Sequence, residues 1–116
     1  HAVIEVDDIR ATPVGEFGPI VQADARFPNG VNVGFMEVID SEHIRLRVYE
    51  RGVGETRACG TGACAAVVIG RMWSRLGSRV DVELPGGHLQ IEWLGDGAPV
   101  FMTGPISYVF EGTIEL

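Results

Sequence analysis

What this 116-residue chain has little of narrows its function before any motif is read. No apolar run approaches the length of a membrane span and no signal peptide is visible, which argues against a membrane protein. Basic residues are outnumbered, nine against sixteen acidic, and a formal charge of −7 argues against a nucleic-acid surface. Cysteine is scarce. The two present, Cys59 and Cys64, are five positions apart, which on a helix turns them about 140° from each other, so they cannot bridge there. Reduced thiols without a leader fit the cytoplasm. His43 and His88 have no metal-ligand spacing with each other or with Cys59, and both read as surface residues. There is no repeat, low-complexity segment or linker. The chain begins with His rather than Met, so an upstream segment is expected to have been removed or omitted.

What remains is an ordinary globule, 46% hydrophobic and 22% charged, long enough for a single domain over residues 1–116 with its own core. Residues 1–6 form a short β-rich run. Apolar residues at Val14, Phe17, Ile20, Val21 and Ala25 keep helical spacing over 14–26, with an interruption or kink expected at Gly18-Pro19. Residues 32–39 and 44–49 read as a hairpin turning at 40–43, the second arm alternating apolar residues with arginines. Residues 79–84 and 88–93 alternate around Pro85-Gly86-Gly87, a strong hairpin signal. Further short strands are expected at 100–103, 106–110 and 113–116.

Between these lies the stretch that organises the chain. After the strand ending at Tyr49 come Gly-spaced polar turns, then Cys59-Gly60-Thr61-Gly62 where a helix should begin. From Ala63 to Ile69 no residue is polar, and Met72, Trp73 and Leu76 continue the run, so this helix is expected to be buried on all sides. Arg71, Arg75 and a Gly77 cap mark its expected end, for a length of about 24 Å. The first free N–H groups of such a helix make an anion cradle, and a thiol beside it ionises more easily. The expected architecture is an α+β domain, a strongly curved, mixed but mainly antiparallel sheet around one central buried helix.

The seventeen positions Glu50-Arg51-Gly52-Val53-Gly54-Glu55-Thr56-Arg57-Ala58-Cys59-Gly60-Thr61-Gly62-Ala63-Cys64-Ala65-Ala66 resemble the signature of diaminopimelate epimerase around the second of its catalytic cysteines. The family enzyme is built from two similar halves, and the chain resembles the C-terminal one. The resemblance implies a barrel-shaped sheet around a central helix and a missing N-terminal domain as partner. It also implies interconversion of L,L- and meso-diaminopimelate, in lysine and cell-wall synthesis, by two opposed thiols with no pyridoxal phosphate, metal or other cofactor. Cys59 would be one of the two.

Each candidate also has a plain reading. Cys59 could be a packed thiol, but it stands outside the apolar block; Cys64 reads as core packing. Glu50 and Arg51 could be an exposed ion pair, whereas the resemblance makes Glu50 an acceptor for the substrate's ammonium group and Arg51 a guanidinium donor to its carboxylate. Glu55 and Thr56 could simply bond the loop to itself. Gly60, Thr61 and Gly62 would turn their N–H groups to the carboxylate, and Thr61 could also cap the helix. Asn32 matches an Asn-x-Gly-Phe segment whose Asn contacts substrate. His1 matches the end of a Gly-Asn-Pro-His segment at the active site. Two alternatives stay open: a proline racemase-like enzyme, and, for the chain alone, a small-molecule anion-binding domain. A homodimer also stays open, and the chain alone is expected to be inactive.

Overall fold

The computed structural model describes residues 1–116. In chain order the elements are β1 (Ala2–Glu5), α1 (Val14–Gln22), β2 (Val33–Asp40), β3 (His43–Glu50), β4 (Gly54–Thr56), α2 (Gly60–Met72), β5 (Arg79–Leu84), β6 (Gly87–Trp93) and β7 (Val100–Thr103). The seven strands form one mixed sheet in the order β1-β2-β3-β5-β6-β7, with β4 also paired to β3. The β1–β2 and β3–β5 pairs are parallel and the others antiparallel.

The two-residue period of the strands sorts apolar side chains to the two faces. Met36, Ile44, Leu46, Val48, Val80, Val82 and Ile91 meet Ala63, Ala66 and Val67 of α2 on one face. Val33 and Phe35 turn to the other, where Val14 of α1 packs with Ile9 and Val31. At about 1.5–3 kcal/mol for each large side chain fully buried, these two clusters carry the fold.

Strand β3 places the site. One edge is taken by β2 along its length, and the other is shared: residues 43–45 pair with β5, residues 48–50 with β4. The fork is stitched by the Gly86 N–H, which donates to the Arg57 carbonyl at 2.7 Å. The chain leaving β4 therefore enters α2 across the end of the sheet.

Several expectations are corrected. The sheet does not close into a barrel. Its outer strands are β1 and β7, and residues 106–110 and 113–116 add no strand. These residues have strand-like composition but pair with neither outer strand, and Ile106, Tyr108, Phe110 and Ile114 are each at least 79% exposed. Helix α2 buries one face, through Gly62, Ala63, Ala66, Val67 and Gly70, while Met72 and Trp73 are exposed. It stops at Met72 rather than near Gly77. Ser74 turns left-handed (φ 61), its N–H donates to Arg71 O at 2.9 Å, and Arg75 N–H donates to Gly70 O at 2.9 Å, a Schellman stop without glycine. Gly77 instead donates to Ser41 O at 2.8 Å. Helix α1 runs unbroken through Pro19, whose missing bond falls on exposed Gly15, and ends at Gln22, short of Arg26. Three-residue β4 was not expected at all. No helix is long and apolar enough to cross a membrane.

Candidate active site

Strand β3 delivers Glu50 and Arg51 to the end of the sheet. Gly52 (φ 77) and Gly54 (φ 100) then turn the chain back through left-handed conformations that glycine adopts without a steric penalty. Cys59 is the N-cap of α2, extended at φ −146 and ψ 103, and no side chain caps the helix. Thr61 is thus not the cap. The first intrahelical bond runs from Ala63 N–H to Cys59 O at 3.0 Å, so the N–H groups of Gly60, Thr61 and Gly62 have no protein acceptor.

The extended N-cap folds the Cys59 side chain under the first turn, and this reverses the expected burial of the two thiols. Cys59 is 8% exposed and belongs to the main core; Cys64 is half-buried at its margin. Burial pushes the Cys64 thiol above its ordinary range, with backbone hydrogen bonding working against that shift and the charge of Cys59 adding to it. The glycines fit this packing. A Cβ on Gly62 would lie 3.1 Å from both Cys59 Sγ and Val48 Cγ2, and one on Gly60 would lie 3.0 Å from Met102 Sδ.

The candidate residues lie on one closed circuit. Ala2 N–H donates to Asn32 O at 2.9 Å, and Asn32 Oδ1 accepts the Arg51 N–H at 2.8 Å. Next along the chain, the Glu50 carboxylate accepts the Thr56 hydroxyl, whose oxygen lies 3.3 Å from the Ala58 carbonyl. Ala58 leads to Cys59, whose Sγ is 3.7 Å from Thr61 Oγ1. Thr61 Oγ1 returns to His1 Nε2 at 3.1 Å, and His1 precedes Ala2. Asn32, Glu50, Arg51, Cys59, Thr61 and His1 are thereby linked through contacts and bonded neighbours, with His1 and Cys59 reaching Thr61 at the N-terminal end of α2 and the Arg51 guanidinium turned to Asn29.

Glu50 and Arg51 make no ion pair with each other. Arg51 Nη1 donates to Asn29 O at 3.1 Å, and the half-buried Glu50 carboxylate is held by Thr56. Glu55 turns away to Arg47, with bonds of 2.5 and 2.8 Å, while Arg47 Nη1 reaches the carbonyls of Ile9 and Thr12 at 3.0 Å each. Sequence reading passed over this clamp, which ties β4 to the segment before α1. Alternation of arginines along β3 was its only signal. It also passed over Met102, brought to Gly60 from forty-two residues away. His43 and His88 are exposed, as expected, and bond Asp40 (2.8 Å) and Asp81 (2.9 Å). An apolar groove of about 480 Å³ between β1 and α1 is lined by none of the candidate residues.

The family model for diaminopimelate epimerase matches residues 1–109. The chain belongs to the diaminopimelate epimerase family. It is 61% identical, over all 116 residues, to a diaminopimelate epimerase from Alkalilimnicola ehrlichii, and covers 42% of that protein. The chain thus spans less than half the length of this curated relative. Among solved structures it is similar to a PhzF-family phenazine biosynthesis protein of Bacillus anthracis (TM-score 0.59, 19% identity, 86% of this chain and 33% of that one). A putative PhzC/PhzF protein of Clostridium difficile gives a TM-score of 0.56 at 20% identity, over 78% of this chain and 32% of that one. These structures show the fold, which this family member shares with an open sheet.

Proposed function

We propose that this chain is the C-terminal half of a cofactor-independent epimerase that interconverts L,L- and meso-diaminopimelate, with Cys59 as one of two opposed thiols. The closed circuit of contacts around the start of α2 carries this reading. It links Cys59, Thr61 and His1 at a helix start whose first three N–H donors lack a protein acceptor, and joins to them, through neighbouring contacts, the Glu50 carboxylate and the Arg51 backbone. Removing the α-proton of an amino acid sends negative charge into its carboxylate. The N–H groups of Gly60, Thr61 and Gly62, with the positive end of the helix dipole behind them, would stabilise that charge as it develops. Arg51 would take up a carboxylate and Glu50 the ammonium group, with Asn32 fixing the Arg51 backbone beside the start of β1. Inversion needs a second acid–base group on the opposite face. Cys64 is unsuited, half-buried five residues along the same helix with its thiol pushed up. The second thiol would come from the half outside this chain, which would also cover the exposed apolar residues after Thr103. The 116-residue chain alone would not invert substrate.

The test is Cys59→Ala in the full-length protein. Inversion should fall by about 10²–10⁴, the usual loss for a general acid or base. The opposite thiol should still exchange solvent deuterium into one stereoisomer, without changing its configuration. Inversion near the parental rate would return Cys59 to the role of a packed thiol.

A further inference from the structure

Strand β4 is three residues long, pairs only with β3, and is entered through Gly52 and Gly54, both left-handed. A two-stranded ribbon of that size is marginal by itself. Yet its last residue, Thr56, gives its hydroxyl hydrogen to the Glu50 carboxylate, and Cys59 follows a few residues on. Whatever fixes β4 therefore bears on the site.

We propose that Arg47 and Glu55 are positioning residues for the reaction, holding β4 so that Thr56 aims the Glu50 carboxylate, an inference that rests on the proposed function, in which Glu50 receives the ammonium group. Glu55 lies opposite Tyr49 and Thr56 opposite Val48, so the two β4 side chains point to opposite faces of the sheet. On the α1 face, Arg47 Nε donates to Glu55 Oε1 at 2.5 Å and Nη2 donates to Oε2 at 2.8 Å, a bidentate fork. Arg47 Nη1 donates to the carbonyls of Ile9 and Thr12 at 3.0 Å each, so both of its N–H bonds are used as well. The two side chains are only 26% and 32% exposed, which limits the screening that weakens ordinary surface pairs. On the α2 face, Thr56 holds Glu50, and Val48 packs in the main core against the first turn of α2 at Gly62. The fork thus seats β4 against β3 and residues 9–12 at once, and the Thr56 hydroxyl takes its place from both. Arg45, on the same face of β3, pairs with Glu37 and Glu83 and reaches no residue of the site.

The full-length protein tests this with Glu55→Gln, Arg47→Lys, Glu50→Gln and the double variant Glu50→Gln/Glu55→Gln. Glu55→Gln keeps the Arg47 bonds to Ile9 and Thr12 and removes only the carboxylate, so folding should be retained. It should lower kcat/KM for diaminopimelate about tenfold, chiefly through KM, because a misplaced binding group loses ground-state affinity. Arg47→Lys should lose about as much, since an ammonium cannot replace a planar fork. In the double variant the losses should not multiply, because without the Glu50 carboxylate the clamp has nothing to aim. Its kcat/KM should match that of Glu50→Gln within about twofold. Parental kcat/KM in both Glu55→Gln and Arg47→Lys would overturn the positioning role. So would losses that multiply in the double variant, the mark of a structural tie with no path to Glu50. Parental kcat/KM in Glu50→Gln would take the ammonium from Glu50 and the positioning role with it. Retained inversion in Cys59→Ala would instead overturn the proposed function, so the failures are distinguishable.

Discussion

The two ends of α2 are finished in opposite ways. At its C-terminal end every device of helix termination is in place: Ser74 left-handed, a Schellman pair of bonds to Gly70 and Arg71, and Leu76 folded back onto Gly70. At its N-terminal end no side chain caps the helix, three N–H groups lack protein partners, and His1 reaches Thr61 from sixty residues away. One helix thus shows a terminus closed for stability and a terminus kept open. An uncapped start costs roughly 0.5–2 kcal/mol relative to a good cap. That cost is intelligible if the free donors serve a ligand rather than the chain.

Substituting the small residues at the two ends should separate these roles. The largest effect is expected at Gly62. Alanine there gains about 1 kcal/mol of helix propensity, which offsets the crowding of a Cβ 3.1 Å from Cys59 Sγ and Val48 Cγ2. Stability should change little. A displaced thiol should nevertheless lower inversion by the full-length protein about 10²-fold, as small misplacements of reacting groups do. Near-parental activity would mean the thiol is not held by that contact.

At the closed end, Gly70→Ala should show the converse. Its Cβ would meet Leu76 Cδ1 at 2.4 Å and Cγ at 2.8 Å, so the cap has to shift. A loss of about 1–2 kcal/mol in denaturant unfolding is expected from overpacking, with inversion kinetics of the folded protein unchanged. Ser74→Gly should go the other way, adding about 0.5–1 kcal/mol by relieving the left-handed backbone that glycine tolerates.

A surface pair serves as the control with the smallest effect. Asp40, through a side-chain hydrogen bond and its charge, raises the His43 pKa above its ordinary value. Its contribution to stability should be fully present below pH 6.5 and lost as pH rises through the raised folded value. Asp40→Asn should flatten that part of the stability–pH curve and leave inversion untouched.

Local signals made much of this fold legible in the sequence. Alternation gave the 79–93 hairpin, with its turn at Pro85-Gly86, and the glycines after Cys59 gave the start of α2 within a residue. What was not legible depends on partners far away in the chain. The residues of β4 carry no alternation and pair only because the edge of β3 is vacant beyond Arg45. The apolar residues after Thr103 look like strands, yet they join neither free edge of the sheet, β1 nor β7. The site was legible as residue types but not as a circuit. The link from His1 to Thr61 spans sixty residues, and the burial of Cys59 follows from the extended backbone of its N-cap.

The account rests on the open end of α2 receiving a substrate carboxylate, and amide NMR of the full-length protein titrated with meso-diaminopimelate tests this most directly. The account predicts saturable shifts at the amides of Gly60, Thr61 and Gly62, with smaller ones at Asn32 and Arg51. It predicts none at Ser74 to Gly77, where the helix is closed. Saturation of shifts confined to the groove of Val6, Phe17 and Ile20, with Gly60 to Gly62 unmoved, would contradict it.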